Sequence, residues 1–333
     1  MYFVAEIGVN HNGSVALAKE MVDAAKNCGA DCVKFQSFEA TKLAKQDTPK
    51  VAYQKNKTNS GESHLEMLSR LQLDESEMAE IYGYCKRQKI DFISTPYDVP
   101  SAKSLFDMGC RVFKTASADI VDLRLHCYLA NNAERVVISV GMATLGEIED
   151  VLSVYQKSSA ELILLHCISN YPCSDDSVNM NVVKTLQSAF GKHVGFSDHT
   201  VGSVAAVLAV SFGADFIEKH FTLDKDLPGP DHAASSTPSE FRYLVESCLR
   251  AKTMLGGSVK SVQSEELSMR SVSRKSVYAI TTIKKGETIT SDQLGAIRPG
   301  VGLSPMLLPV IEGCRALIDI NKGDFLRVGD YAE

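Results

Sequence analysis

The stretch His193 to His220, "HVGFSDHTVGSVAAVLAVSFGADFIEKH", decides the architecture. It opens with a short apolar run, "HVGFSD" (193–198), and closes with another, "DFIEKH" (215–220). Between them lies a small, apolar, helix-like segment. A strand, a helix and a second strand in this order are one unit of a parallel sheet covered by helices. The same rhythm recurs along the chain. Strands are predicted at "FVAEIG" (3–8), "CVKFQ" (32–36), "DFISTP" (91–96), "VFKTAS" (112–117), "RVVISVG" (135–141) and "ELILLHC" (161–167), which with the first two make eight. Each is followed by a helical pattern. "SVALAKEMVDAAKNCG" places Ala16, Met21, Ala24 and Ala25 near one face and stops at Gly29. Eight such units in about 250 residues predict a (β/α)₈ TIM barrel. An open doubly wound sheet would carry a Gly-rich nucleotide turn after its first strand, and "GVNHNGS" lacks that spacing.

The barrel is expected over residues 1–256, ending with the helical "PSEFRYLVESCLRAKTMLG" (238–256). Residues 257–273 are Ser-rich and charged and read as a linker. Residues 274–333 hold a short internal repeat, I-x-K-G-[ED]-x-[IL], with Gly286 and Gly323 at turn positions, which predicts two related β-hairpins in a small β-rich domain. A domain of about 60 residues is marginal alone and is expected to dock on something.

With 41 acidic and 35 basic residues in 333, the net charge is -6, and no Lys/Arg block is interleaved with aromatics, so nucleic acid is an unlikely class of partner. The longest apolar run is interrupted by Asp215, and the N-terminus has no basic leader, so a membrane span or a secretion signal is not expected and a cytoplasmic protein is. Nine scattered cysteines without a C-x-x-C pair read as reduced, packed thiols.

In a TIM barrel the chemistry collects at the C-terminal strand ends. Those ends carry Glu6, Lys34, Gln36, Thr95, Lys114, Ser117, Asp119, Ser139, His166, Ser197, His199 and His220. Alternate residues of a strand face opposite ways, so only part of this set shares the interior. Lysines buried there need compensation, from Glu6 or from an anionic ligand. An outward, snorkelling course suits Lys219 better than Lys34 or Lys114. His199 and His220, ending adjacent strands, are a candidate pair of metal ligands, against the plainer reading of two hydrogen-bonded core imidazoles. His11 and His166 are assigned to packing or loop contacts. A stiff Pro-Gly-Pro loop (228–230) is expected to present Asp231 and His232 over the mouth. Asp198 should point away from Ser197 and His199, to orient an imidazole or to cap a helix starting near Thr200.

The ordered motifs "AEIGVNHNGS", "VKFQ", "ISTP", "FKTASAD", "SVGM", "LLHCISNYP", "GFSDHT", "EKHFT" and "PGPDHAAS" resemble the bacterial N-acetylneuraminate (sialic acid) synthase family over nearly the whole chain. "IRPGVGLSP" falls where that family's C-terminal SAF, or antifreeze-like, domain carries an arginine motif. The resemblance implies condensation of phosphoenolpyruvate with an N-acetylmannosamine-like sugar aldehyde, giving a nine-carbon 2-keto acid and phosphate, assisted by a divalent metal, Mn2+ or Mg2+. It implies that His199 and His220 bind the metal and that Glu6 orients groups or handles a proton. Lys34, Thr95, Lys114, Ser117, Ser139 and Ser197 would hold phosphoenolpyruvate. Gln36, Asn59, Asp119, Tyr171 and Asp231 match sugar-side positions, and Arg298 would reach the sugar from the other subunit of a domain-swapped homodimer.

"KTASAD" and "HCISNYP" depart from the N-acetylneuraminate-forming pattern, placing Asp119 where a longer acid is usual and Ser169 at an asparagine position. "PGPDHAAS" and "CISNYP" resemble at least as much the branch making legionaminic or pseudaminic acid from a 6-deoxy diacetamido sugar. Octulosonate phosphate synthases, which lack the C-terminal domain, a barrel hydrolase, and a non-catalytic carbohydrate-binding protein fit the residues less well.

Overall fold

In the computed structural model, which describes residues 1–46, 48–50 and 62–332, the chain divides into two compact units, Met1–Gly256 and Gly257–Glu333. The first is a closed barrel of eight parallel strands in chain order: β1 (Tyr2–Gly8), β2 (Cys32–Ser37), β3 (Asp91–Pro96), β4 (Val112–Thr115), β5 (Arg135–Ser139), β6 (Glu161–His166), β7 (His193–Asp198) and β8 (Phe216–His220). Closure is made by β1 on β8, with Glu6 opposite His220.

Strand pleating sorts the side chains into two cores. Val4, Cys32, Ile93, Val137, Ile163, Leu165 and Phe216 form one apolar cluster inside the barrel. Phe3, Ala5, Ile7, Val33, Phe35 and Phe113 have the other parity and join the larger cluster between sheet and helices. Two residues beyond Val4, Cys32, Ile93, Val137 and Phe216 stand Glu6, Lys34, Thr95, Ser139 and Glu218, so a polar layer tops the apolar plug on the same face. Gly195 marks a close approach of β7 to β8: a Cβ there would lie 2.4 Å from the Phe216 carbonyl oxygen.

Helices start where short polar side chains cap them. Ser14 accepts from the Leu17 N–H to open Val15–Asn27, and Thr144 with Glu147 forms a capping box on Leu145–Val154. The first helix buries Ala18, Met21, Val22 and Ala25; Ala16, expected on that face, is exposed, and Ala24 is half-buried. The predicted strand at 112–117 ends at Thr115, and Ser117–Val121 is a 3-10 turn. The helix expected near Thr200 begins at Val204. All nine cysteines are free thiols.

The second unit has its own apolar core, including Val277, Ile283, Ile289, Leu303, Ile320 and Leu326. Residues 257–273 contain a 3-10 turn, Ser264–Glu266, and a short helix, Leu267–Ser273. The repeat does not make two separate hairpins. Ile283 and Ile320, equivalent repeat positions, pair reciprocally, each N–H donating to the other's carbonyl at 2.8 and 2.9 Å. Gly286 N–H donates to Ala316 O and Gly323 N–H to Ala279 O, at 2.7 and 2.8 Å. Each half thus completes the other around a local two-fold relation. Among the described residues no helix is long and apolar enough to cross a membrane.

Candidate active site

A cavity of about 450 Å³ opens at the C-terminal end of the barrel. Its lining includes Glu6, Lys34, Gln36, Thr95, Lys114, Ser117, Ser139, Tyr171, Ser197, His199, His220 and Asp231. Seven of the eight strands, or the residues just beyond them, bring these side chains together, and Cys167, following β6, completes the ring.

The floor is a buried ionic network. Lys34 Nζ lies 2.7 Å from Glu6 Oε2 and 3.7 Å from Glu218 Oε1, and Lys114 Nζ is 3.3 Å from that same Glu218 oxygen. All four residues are at most 6% exposed. Ser197 Oγ donates to Glu218 Oε1 at 3.0 Å, Lys34 Nζ to Thr95 Oγ1 at 3.3 Å, and Gln36 Nε2 to Glu6 Oε1 at 2.9 Å. Burial opposes ionisation of Glu218, but Lys114 and Lys34 outweigh it and hold its carboxyl below the usual range. Glu6 moves the other way: burial raises its pKa, the Glu218 charge adds to this, and Lys34 only partly opposes it. The two carboxylates in one site are thus driven apart, Glu6 upward and Glu218 downward. Burial disfavours the Lys34 ammonium, yet Glu218 and Glu6 raise its pKa above the ordinary lysine value.

Above this floor the rings of His199 and His220 stand 5.6 Å apart, with Tyr171 4.1 Å from the first and 5.4 Å from the second. Burial pushes His199 down to about 4 and His220 well below its ordinary value, so both imidazoles are neutral near pH 7. His199 Nδ1 is 2.7 Å from the Ile168 carbonyl, which takes its N–H and leaves Nε2 a free lone pair near Ser197 Oγ at 3.3 Å. His220 Nδ1 is buried without a hydrogen-bond partner among the described residues, 4.0 Å from Asp231 Oδ2. Two neutral imidazoles side by side, one with an orphaned nitrogen, suit a divalent cation. Among the described residues no group of three or more His, Cys, Asp or Glu forms a complete ligand set, so a cation here would draw further ligands from water or substrate. Burial, helped by the Glu6 charge, raises the Asp231 carboxyl to about 7.

On the opposite rim Ser117 Oγ accepts from the Gly141 N–H at 3.1 Å and lies 3.2 Å from Cys167 Sγ. A Cβ on Gly141 would fall 2.7 Å from Ser169 Oγ and 2.8 Å from Ser117 Oγ, so glycine leaves a small polar cradle open.

Among the described residues of the first unit, one expected site residue is not in the lining. Asp119 lies in the 3-10 turn after β4, where its Oδ2 is buried without a hydrogen-bond partner among the described residues; the chain turns at Ser117, and strand parity no longer carries it inward. Asn59 lies outside the described residues. Arg298 belongs to the second unit. His232, expected over the mouth, is fully buried, with Nδ1 2.7 Å from Thr222 Oγ1 and Nε2 3.1 Å from Asn12 Nδ2. Lys219 does not snorkel: its Nζ is buried on Asp198 Oδ2 at 2.8 Å and on the Thr200 and Gly202 carbonyls at 2.6 and 2.9 Å. Asp198 therefore holds a lysine, not an imidazole, and also accepts from Thr200 N–H. His166 Nε2 is bound to the Val178 carbonyl and His11 Nδ1 accepts from Gly13 N–H. Sequence reasoning missed Glu218, although it stands two residues before His220 and must share its face.

Fold and site together define a TIM-barrel protein whose cavity is lined by two buried lysines beside a pair of neutral imidazoles. The chain belongs to the NeuB family, whose model matches residues 21–260, and a SAF domain follows at 274–331. It is 39% identical over 330 residues to an N,N'-diacetyllegionaminic acid synthase of Legionella pneumophila, covering 98% of this chain and 93% of that one. It is 40% identical over 327 residues to the enzyme of the same name from Campylobacter jejuni, covering 97% and 98%. Among solved structures, an N-acetylneuraminic acid synthetase from Leptospira borgpetersenii, in complex with citrate, superposes with a TM-score of 0.73 at 31% identity, over 80% of this chain and 89% of that one.

Proposed function

We propose that the protein is a nonulosonate synthase that condenses phosphoenolpyruvate with an acetamido-sugar aldehyde to give a nine-carbon 2-keto acid and phosphate. The observation that carries this is the pair Lys34 and Lys114 on a shared buried carboxylate, ringed by the hydroxyls of Thr95, Ser117, Ser139 and Ser197 in one cavity with His199 and His220. Phosphoenolpyruvate is a small, multiply charged anion, and two ammoniums with four hydroxyls can replace its water shell. His199 and His220 would hold a divalent ion, Mn2+ or Mg2+, which when bound supplies Lewis-acid polarisation of a carbonyl oxygen.

The reaction joins carbon 3 of the enol phosphate to the aldehyde carbon. Positive charge develops at carbon 2, water adds there and gives up a proton, and the phosphate leaves. Lys34 and Lys114 fix the anion so that carbon 3 faces the acceptor. Glu218, held below the usual carboxylate range between them, would stabilise the transient cation. Glu6, the carboxyl that burial raises, would handle a proton at the aldehyde oxygen or the incoming water. Gln36, Tyr171 and Asp231 face the sugar. In this reading residues 1–256 are the catalytic barrel, 257–273 a linker, and Arg298 of the 274–333 domain contacts the sugar from a second copy of the chain in a domain-swapped homodimer acting in the cytoplasm.

The names of the two relatives near 40% identity favour the diacetamido, legionaminic-type acceptor as a second reading. Purified protein with phosphoenolpyruvate and manganese, offered N-acetylmannosamine or its 6-deoxy diacetamido relatives separately, should release phosphate with at least one. Release with none of them would overturn the assignment.

A further inference from the structure

A second cavity, of about 330 Å³, is lined by Gly202 and Ser203 from the loop after β7, Ser236 from the loop after β8, Lys219 of β8 itself, and Tyr243 of the helix Pro238–Leu255. Lys219 has the opposite parity to Glu218 and His220, so this space lies behind the barrel-mouth cavity, on the helix side of the sheet. The condensation described above uses none of these five residues.

Several donors there lack acceptors. Ser236 is 6% exposed; its N–H is spent on the His220 carbonyl at 2.7 Å, while its Oγ makes no hydrogen bond among the described residues. Buried hydroxyls are seldom left so. The helix Val204–Ser211 begins at the same place, and Ser203, its N-cap, makes no side-chain capping bond. The first helical bond runs from Val207 N–H to Ser203 O, so the N–H groups of Val204, Ala205 and Ala206 have no acceptor within the helix. Ala205 and Ala206 are 7% and 0% exposed, which limits what water can do for them.

The nearby carboxylates do not supply the missing acceptors. Asp198 is held by Lys219 at 2.8 Å and Glu240 by Lys225 at 2.6 Å. What is left over is the end of a helix carrying about half a positive charge, beside a free buried hydroxyl. That combination suits phosphoryl oxygens. The volume falls within the range of small-molecule sites, about 300–1,000 Å³, and so admits more than a bare phosphate. Tyr243, 65% exposed at the rim, offers a flat face to whatever the phosphoryl group carries. We infer that this cavity is a second anion site, built for the phosphoryl group of a small phosphate ester. It does not depend on the condensation reading, yet it shares backbone with the imidazoles: Thr200 follows His199, Lys219 precedes His220, and Ser236 N–H holds the His220 carbonyl.

Calorimetric titration of the full chain with inorganic phosphate, a hexose 6-phosphate and adenosine monophosphate tests the site. Ser203→Asp keeps a good N-cap, so the helix start should survive, and it puts a carboxylate beside the position of the phosphoryl group. It should remove one binding event from the wild-type isotherm. Ser236→Ala, which adds no charge, should weaken the same event about tenfold, the size of one hydrogen bond to a charged group. The barrel-mouth cavity is untouched in both variants, so anion bound there cancels in the comparison, and unchanged circular dichroism shows that both variants fold. Adenosine monophosphate binding more tightly than the hexose phosphate, with the advantage lost in Tyr243→Ala, assigns a nucleotide to the site; the reverse order assigns a sugar phosphate, and either supports the phosphoryl site. Isotherms that are the same in the wild type, Ser203→Asp and Ser236→Ala overturn it.

Discussion

Lys219→Met offers a sharp test of how the barrel rim is held. The methionine keeps most of the apolar stem but deletes an ammonium that contacts Asp198 Oδ2 at 2.8 Å and the Thr200 and Gly202 carbonyls at 2.6 and 2.9 Å. Asp198 is left as a buried carboxylate at 1% exposure. Removing one partner of a buried pair costs about 3–5 kcal/mol, because the other charge stays unpaired. Asp198 Oδ1 still accepts from the Thr200 N–H and hydroxyl at 2.9 and 2.8 Å, which points to the lower end, about 3 kcal/mol. For a unit of this size that is a fall of about 6–12 °C in the melting temperature of the barrel. Calorimetry of the full chain would read it directly. Adding Asp198→Asn should restore about half of the loss, since the double variant buries no net charge. A single-variant loss under about 1 kcal/mol, or a double variant as unstable as the sum of the singles, would refute the reasoning.

Other outcomes follow from the same geometry. Gly195→Ala puts a Cβ 2.4 Å from the Phe216 carbonyl and 2.7 Å from Leu165 Cδ2; a loss of about 3 kcal/mol is expected in urea unfolding. Gly141→Ala fills the cradle between Ser117 and Ser169, so phosphoenolpyruvate should raise the melting temperature of this variant much less than that of the wild type. Asp119 has its carboxyl raised from 3.8 to about 7 by burial, with Asp122 adding and Lys114 opposing. A folded pKa above the unfolded one means stability that is full below pH 3.8 and is lost as pH rises to about 7, so Asp119→Asn should flatten that slope in denaturant titrations between those limits.

The barrel was legible because its strands are short β-branched runs and because parity sorts their side chains. Glu6, Lys34, Thr95, Lys114, Ser139, Ser197 and His220 stand at strand ends that the sequence itself marks, and all line the cavity. Glu218 obeys the same parity, but its meaning depends on meeting Lys34 and Lys114 across the barrel, a juxtaposition that spacing along one strand does not contain. Alternation puts Asp198 on the outward face; its partner emerges only from the pairing of β7 with β8, which sets Asp198 opposite Lys219. Asp119 failed for the converse reason, since the chain leaves the strand at Thr115 and alternation stops there.

The interlocked halves of the C-terminal unit bear on how this tail came to exist and how it can break. A repeat whose two copies lend each other their hydrogen-bond partners is what duplication and fusion of one short segment would leave, with each copy dependent on the other for closure. Neither copy can fold first, so the pairing of Ile283 with Ile320 closes a long loop before any local contact rewards it. Truncation after the first copy therefore removes not half of the domain but all of it, and amide protons on both sides should exchange together, in a single cooperative opening.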